Sequence, residues 1–290
     1  VAMVGWARER WGRRAAGGLA VAGGVVCVWL AGSGCSWQGA AVQGAGAGDP
    51  VAVLHRAADR LVAAGSAKAR TAMEMASGGT RVTIRGEGVY DFERRFGRLE
   101  VRLPQDPAGE SEHRPITELL APGALFMKNR GAGVPDDKWV RVETASLSDG
   151  NLVTGGATDP FAAAEVLRGT RTATYVGRTE VAGTEVRHYR GTANLARAAR
   201  GASDDNRAAL AAAADGFATA EVPFDAYLDD EGRIRKIRHR FSFVNGRDEG
   251  TVDVASTTLL YDFGAAVRVR LPEEEDIYAG KIAAGPGGKN

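Results

Sequence analysis

The sequence predicts an α+β protein built on a strongly curved antiparallel β-sheet, an unclosed half-barrel with helices covering its concave face. Three observations carry that prediction. Period-two alternation dominates residues 66–103 and 221–271, helical spacing is confined to a few short stretches, and the elements run helix, strands, helix, two strands, helices, four strands. A doubly wound α/β fold alternates strand and helix throughout, so this order excludes it. A sheet that curves without closing encloses more volume than its own side chains need to fill, and such an interior suits an apolar guest.

The first helix begins at Asp49 and Pro50, an N-cap followed by a first helical residue, and Val51, Leu54, Ala58, Leu61 and Val62 recur at helical spacing up to Gly65. The period then changes to two. Ala67, Ala69, Thr71, Met73 and Met75 alternate with Lys68, Arg70 and Glu74, which describes a strand with one wet face. Val82, Ile84, Tyr90 and Phe92 set against Arg81, Arg85, Glu87 and Asp91 make a second strand. Leu99, Val101 and Leu103 set against Arg98, Glu100 and Arg102 make a third, and the three form a meander. Shorter strands follow at Ile116 to Leu120, Leu125 to Lys128 and Trp139 to Val142, between loops rich in Pro, Gly and Asp.

Asp159 and Pro160 repeat the earlier cap and start a helix through Phe161, Val166 and Leu167. Strands at Thr172 to Arg178 and Glu185 to Gly191 turn at Ala182 and Gly183. The alanine-rich stretch from Asn194 to Ala214 is helical with a break at Gly201, and strands return at Glu221 to Leu228, Ile234 to Phe243, Thr251 to Tyr261 and Val267 to Leu271. Asp229, Asp230, Glu231 and Gly232 form the hairpin turn between the first two of these.

Ahead of all this stands the pattern of an export signal. Arg8, Arg10, Arg13 and Arg14 precede an apolar run from Ala15 to Ala31, and the small residues Gly32, Ser33 and Gly34 precede Cys35. At about 17 residues the run only just reaches the span of a bilayer core, and the uncharged glycine spacer from Gly39 to Gly48 lacks a stop flank. Cleavage is therefore expected after residue 34. Cys27 leaves with the signal, so Cys35 has no internal partner for a disulfide, and its modification is expected. The pattern resembles a lipobox, which implies a diacylglycerol on the Cys35 sulfur; Gly32 stands where that pattern carries Leu, with Leu30 two residues further back. The expected organisation is signal peptide 1–34, lipidated cysteine and linker 35–49, one domain 50–278 and a tail 279–290.

Charge and motifs narrow the function. Removing the first 34 residues, with four arginines and one glutamate, turns a net charge of +1 into −2. That balance argues against nucleic acid as a partner. His55, His113, His188 and His239 share no metal-ligand spacing, and the mature chain lacks a nucleophile elbow, a P-loop and a zincin motif. Asp229 to Glu231 and Glu273 to Asp276 lack the spacing of a calcium loop. These absences point away from an enzyme, a metal site and a cofactor. The apolar side of the strands supplies the candidate lining of a guest cavity: Met73, Met75, Val82, Ile84, Tyr90, Phe92, Leu99 and Val101, joined by Phe224 and Leu228.

The stretches TYVGRTEVAGTEVRHYRGTANL, VPFDAYLDDEGRIRKIRHRF and TTLLYDFGAAVRVRLPEEEDI, with LFMKN followed by KWVRV, resemble the actinobacterial lipoproteins of the LppX/LprA/LprF/LprG type over Val51 to Ile277. The resemblance implies a LolA-like fold whose cavity holds the acyl chains of lipids or glycolipids. It also implies a monomer, anchored through its N-terminal lipid to the outer face of the cytoplasmic membrane, that carries or presents those lipids. The alternative is an envelope sensor on the same fold that binds another protein.

Overall fold

The computed structural model describes residues 48–77, 80–104, 114–131, 133–153, 157–245 and 250–279. The signal segment, Cys35, most of the glycine spacer, His113 and nearly all of the tail lie outside them.

Local chemistry sets the helix starts. Asp49 accepts the amide of Val51 at 3.1 Å and opens α1 (Pro50–His55), which a break at Arg56 separates from α2 (Ala57–Ala63). Asp159 accepts the amides of Phe161 and Ala162 at 2.7 and 3.0 Å and opens α3 (Pro160–Val166). The alanine-rich stretch splits, as its composition predicts, into α4 (Leu195–Gly201) and α5 (Asp204–Gly216).

Eleven strands form one antiparallel sheet: β1 (Ser66–Ser77), β2 (Thr80–Asp91), β3 (Phe96–Arg102), β4 (Ile116–Ala121), β5 (Ala124–Lys128), β6 (Trp139–Glu143), β7 (Thr170–Val181), β8 (Thr184–Asn194), β9 (Glu221–Leu228), β10 (Ile234–Asn245) and β11 (Gly250–Tyr261). Their order is β6-β5-β4-β3-β2-β1-β11-β10-β9-β8-β7. Two meanders thus run in opposite senses and meet where β1 pairs with β11, for example Thr71 opposite Thr258 and Met73 opposite Ser256. β6 and β7 are the two ends of the sheet, and the crossover between them carries α3.

Among the described residues the α-helices pack on one face. Every residue of α3 is buried, and α4 and α5 bury Leu195, Ala198, Ala199, Ala209, Leu210 and Ala213. Flat, eleven strands would spread across roughly 48 Å, whereas α5 spans only about 20 Å. Helices this short nonetheless share one buried cluster with Leu125 of β5 and Tyr189 of β8, so the sheet curves around them. Close approach demands glycine in two places. A Cβ on Gly88 would lie 1.9 Å from the carbonyl oxygen of Arg98, and one on Gly97 would lie 2.5 Å from the Tyr90 ring opposite it.

One expectation is corrected. Residues 267–271 keep their period-two burial but join no strand of the sheet. Val269, Leu271 and Ile277 instead cover Leu119, Ala124 and Phe126 on the outer side of β4 and β5. The segment is fastened by the Tyr278 amide, which donates to the Trp139 carbonyl at 2.8 Å, and by Lys138, which donates to the Glu275 carbonyl at 2.8 Å. Alternation there reports contact with a surface on one side rather than ladder pairing.

Candidate functional site

The inner face of the sheet under the helices is the candidate site. All ten expected lining residues lie on it. Met73, Ile84, Tyr90, Phe92, Leu99, Val101, Phe224 and Leu228 belong to one buried cluster, and Met75 and Val82 pack half-buried against its margin. Tyr90 and Phe92 pack with ring centroids 5.1 Å apart and planes tilted by 41°, and Phe92 reaches Phe161 of α3 at 6.4 Å. These contacts join the sheet to its helical cover through aromatic edges.

Polar groups fix that cover. The Tyr90 hydroxyl donates to Asp159 at 3.2 Å, and burial pushes the Asp159 carboxyl up to about 6 against the pull of its two backbone donors. The same burial raises the Tyr90 phenol well above its ordinary value. Arg95 pairs with Asp205 of α5 and lies over the Phe161 ring, so the β2–β3 turn grips two helices. Glu165 is fully buried yet accepts from the Ser203 amide at 2.9 Å, the Ser203 hydroxyl at 2.8 Å, Asn206 at 2.8 Å and Arg168 at 3.2 Å. That set binds α3 to the start of α5.

Among the described residues, other polar groups on the inner face lack such partners. Thr71 and Thr258 stand directly opposite each other and both hydroxyls are buried without a hydrogen bond. His239, opposite Ser256, has an unpartnered Nε2, and burial pushes its imidazole down to about 3, so it is neutral. Ser256 itself is satisfied, 2.6 Å from the Thr158 hydroxyl. Glu118 is the extreme case. It faces the interior between Leu99 and Met127, its residue is 0 % exposed, and neither carboxylate oxygen has a partner. Burial pushes its carboxyl up to about 8, opposed only by the charge of Arg130. A buried polar group left unpaired costs about 1–3 kcal/mol.

The sequence reading missed Glu118, which stands between Ile116 and Leu120 on the inner face of β4 but beside Leu119, itself buried on the other face. The remaining described histidines are apart from the site: His55 Nε2 lies 3.0 Å from the Thr170 carbonyl, and His188 pairs with Asp225 at 2.8 Å on the outer face.

At the margin of this interior a concavity of about 450 Å³ is lined by Met75, one of the ten expected residues, with Phe241 and Val254; two others lie beside the interior. A groove of about 650 Å³ on the outer face is bounded by Arg70, Arg85, Glu87 and Arg102 over a floor of Ala72 and Leu259. A recess of about 390 Å³ sits at the rim where β3 ends and β4 begins, between Leu103, Ile116, Val134, Asn129, Arg114 and Arg130. None of the ten expected lining residues borders either. Among the described residues no helix is long and apolar enough to cross a membrane.

No protein-family model matches the sequence, and no curated protein matches it. Solved structures with a similar course include lipoprotein LppX of Mycobacterium tuberculosis, 10% identical, covering 77% of this chain and 100% of that one with a TM-score of 0.42. LprF of Mycobacterium bovis is 14% identical, with 77% and 96% covered and a TM-score of 0.37. A LolA-superfamily protein of Nitrosomonas europaea is 12% identical, with 74% and 95% covered and a TM-score of 0.33.

Proposed function

We propose that this chain is an exported lipoprotein, anchored through Cys35 to the outer face of the cytoplasmic membrane, that holds acyl chains of a lipid or glycolipid and carries or presents them in the cell envelope. The observation that carries the reading is the make-up of the inner face. An apolar wall of an unclosed sheet is covered by short helices of mostly small residues, and polar groups without partners are set into that wall. Alanine contacts are shallow, so parting the helices from the sheet forfeits little buried area for each residue moved. A guest chain replaces it at about 0.8 kcal/mol per methylene, before the entropy of ordering is subtracted.

The export signal, the lone Cys35 and the glycine spacer of the sequence supply the remaining parts of the reading, a tether with reach. The test is native mass spectrometry on protein extracted from the membranes of its own host. Bound lipid and a diacylglycerol on the N-terminal Cys35 peptide are expected. Protein that is empty and takes up no acyl chain on titration refutes lipid binding, and an unmodified Cys35 refutes the anchor.

A further inference from the structure

We infer that Glu118 is the hydrogen-bonding anchor for an uncharged, hydroxyl-bearing head of the guest, admitted through the recess at the β3–β4 rim. The inference rests on the lipid-binding reading and adds the class of head group and the place where it sits.

Three observations place it. Glu118 is a fully buried carboxyl whose two oxygens meet no donor or acceptor, whereas Glu165, equally buried, accepts four hydrogen bonds. The large majority of buried polar groups are satisfied within the fold, as Glu165 is, and a carboxyl with both oxygens open calls for a partner from outside it. The rim recess is bounded by Ile116, which lies two residues before Glu118 on the same face of β4, about 7 Å along the strand. Leu103 and Val134, which also border the recess, pack on the main core, so the recess adjoins the interior directly. A guest entering there sets its head between Glu118 and the polar rim of Asn129 and Arg130, and its chain runs on over Leu99, Val101 and Met73.

The chemistry of the wall selects the head. Kept neutral by burial among Leu99, Met127, Ile116 and Leu120, the carboxyl presents one donor and one acceptor, the same complement that a hydroxyl presents in reverse. A cationic head would have to approach past Arg130, whose charge acts on Glu118, while the carboxylate at the rim, Asp136, is already paired with Arg114. An anionic head would occupy an apolar wall beside a group that itself ionises only a little above neutral pH, and two adjacent carboxylates oppose each other.

The experiment titrates delipidated mature protein with decanol, decyl methyl ether and decanoate, read by calorimetry. Decanol is expected to bind about tenfold or more tightly than the ether, which has no hydrogen to donate and fills similar space. Glu118→Leu brings the two affinities together, and Glu118→Gln, which still donates and accepts, keeps the preference. Where the leucine variant fails to fold, Glu118→Met takes its place. Equal binding of decanol and ether to the unaltered protein, a stronger preference for decanoate, or a preference that survives in the leucine or methionine variant overturns the anchor alone. Failure of all three probes to bind overturns the lipid-binding reading with it.

Discussion

The Tyr90 hydroxyl donates to Oδ2 of Asp159 at 3.2 Å, and through this bond the second strand of the sheet holds the N-terminus of α3. The same carboxylate caps the helix by accepting the amides of Phe161 and Ala162. Burial raises the Asp159 carboxyl from 3.8 to about 6, so the folded protein keeps a proton that the unfolded chain has released. Its contribution to stability is therefore fully present below about pH 4 and is lost as pH rises through about 6. Asp159→Asn retains the acceptor for the cap and removes the titration. Urea unfolding at about pH 4 and about pH 7 should show the difference between the two conditions shrinking by up to about 3 kcal/mol in the variant. An unchanged difference would show that the carboxyl does not titrate in this range. Glu118 titrates in both proteins and cancels from the comparison.

Two buried glutamates are expected to respond in opposite directions. Glu165→Leu leaves the Ser203 amide and hydroxyl, Asn206 and Arg168 without their acceptor, a loss of about 2–4 kcal/mol. Glu118→Leu removes a desolvated group that has no partner and is expected to raise the stability of the lipid-free protein by about 1–3 kcal/mol. Chemical denaturation of the two variants at neutral pH checks both signs.

The strands and caps were legible because their causes are local. Asp49–Pro50 and Asp159–Pro160 announce helix starts through bonds to residues two and three positions on, and alternation across 66–103 announces a half-buried meander. What joins distant parts was not legible. The pairing of β1 with β11 depends on residues almost two hundred positions apart, and no period in either strand encodes it. Glu118 was hidden for a related reason. Leu119 beside it is also buried, by the segment carrying Val269 and Leu271, so both faces of β4 read as apolar and the alternation lost its phase. That same segment alternates without joining the ladder, which is why residues 267–271 resembled a strand.

The covering segment makes its own prediction. Leu271→Ala or Ile277→Ala thins the layer over Leu119 and Phe126, and each is expected to cost about 1–2 kcal/mol, less than a fully buried truncation because both side chains are only half-buried. Hydrogen exchange should rise selectively at the amides of β4 and β5, which the segment overlies. Faster exchange spread evenly over β9 to β11 would instead mean that the segment supports the whole sheet.

Thr71 and Thr258 face each other across the β1–β11 pair with neither hydroxyl bonded, at the middle of the inner face. A Cβ built on Gly86 would come within 2.5 Å of the Thr71 hydroxyl, so the oxygen lies in the space that the glycine leaves open. Thr71→Val and Thr258→Val keep the shape and remove the unpaired group. In lipid-free protein each is expected to stabilise the fold by about 1 kcal/mol, and because the two residues are direct cross-strand neighbours, the double variant should gain less than the sum. In lipid-loaded protein the outcome depends on what the hydroxyls meet. A guest whose polar atoms reach them loses hydrogen bonds in the variants, and the gain in melting temperature then shrinks or reverses on loading. A gain that is the same with and without lipid would place the guest's polar part away from the β1–β11 seam, leaving only its hydrocarbon against these two strands.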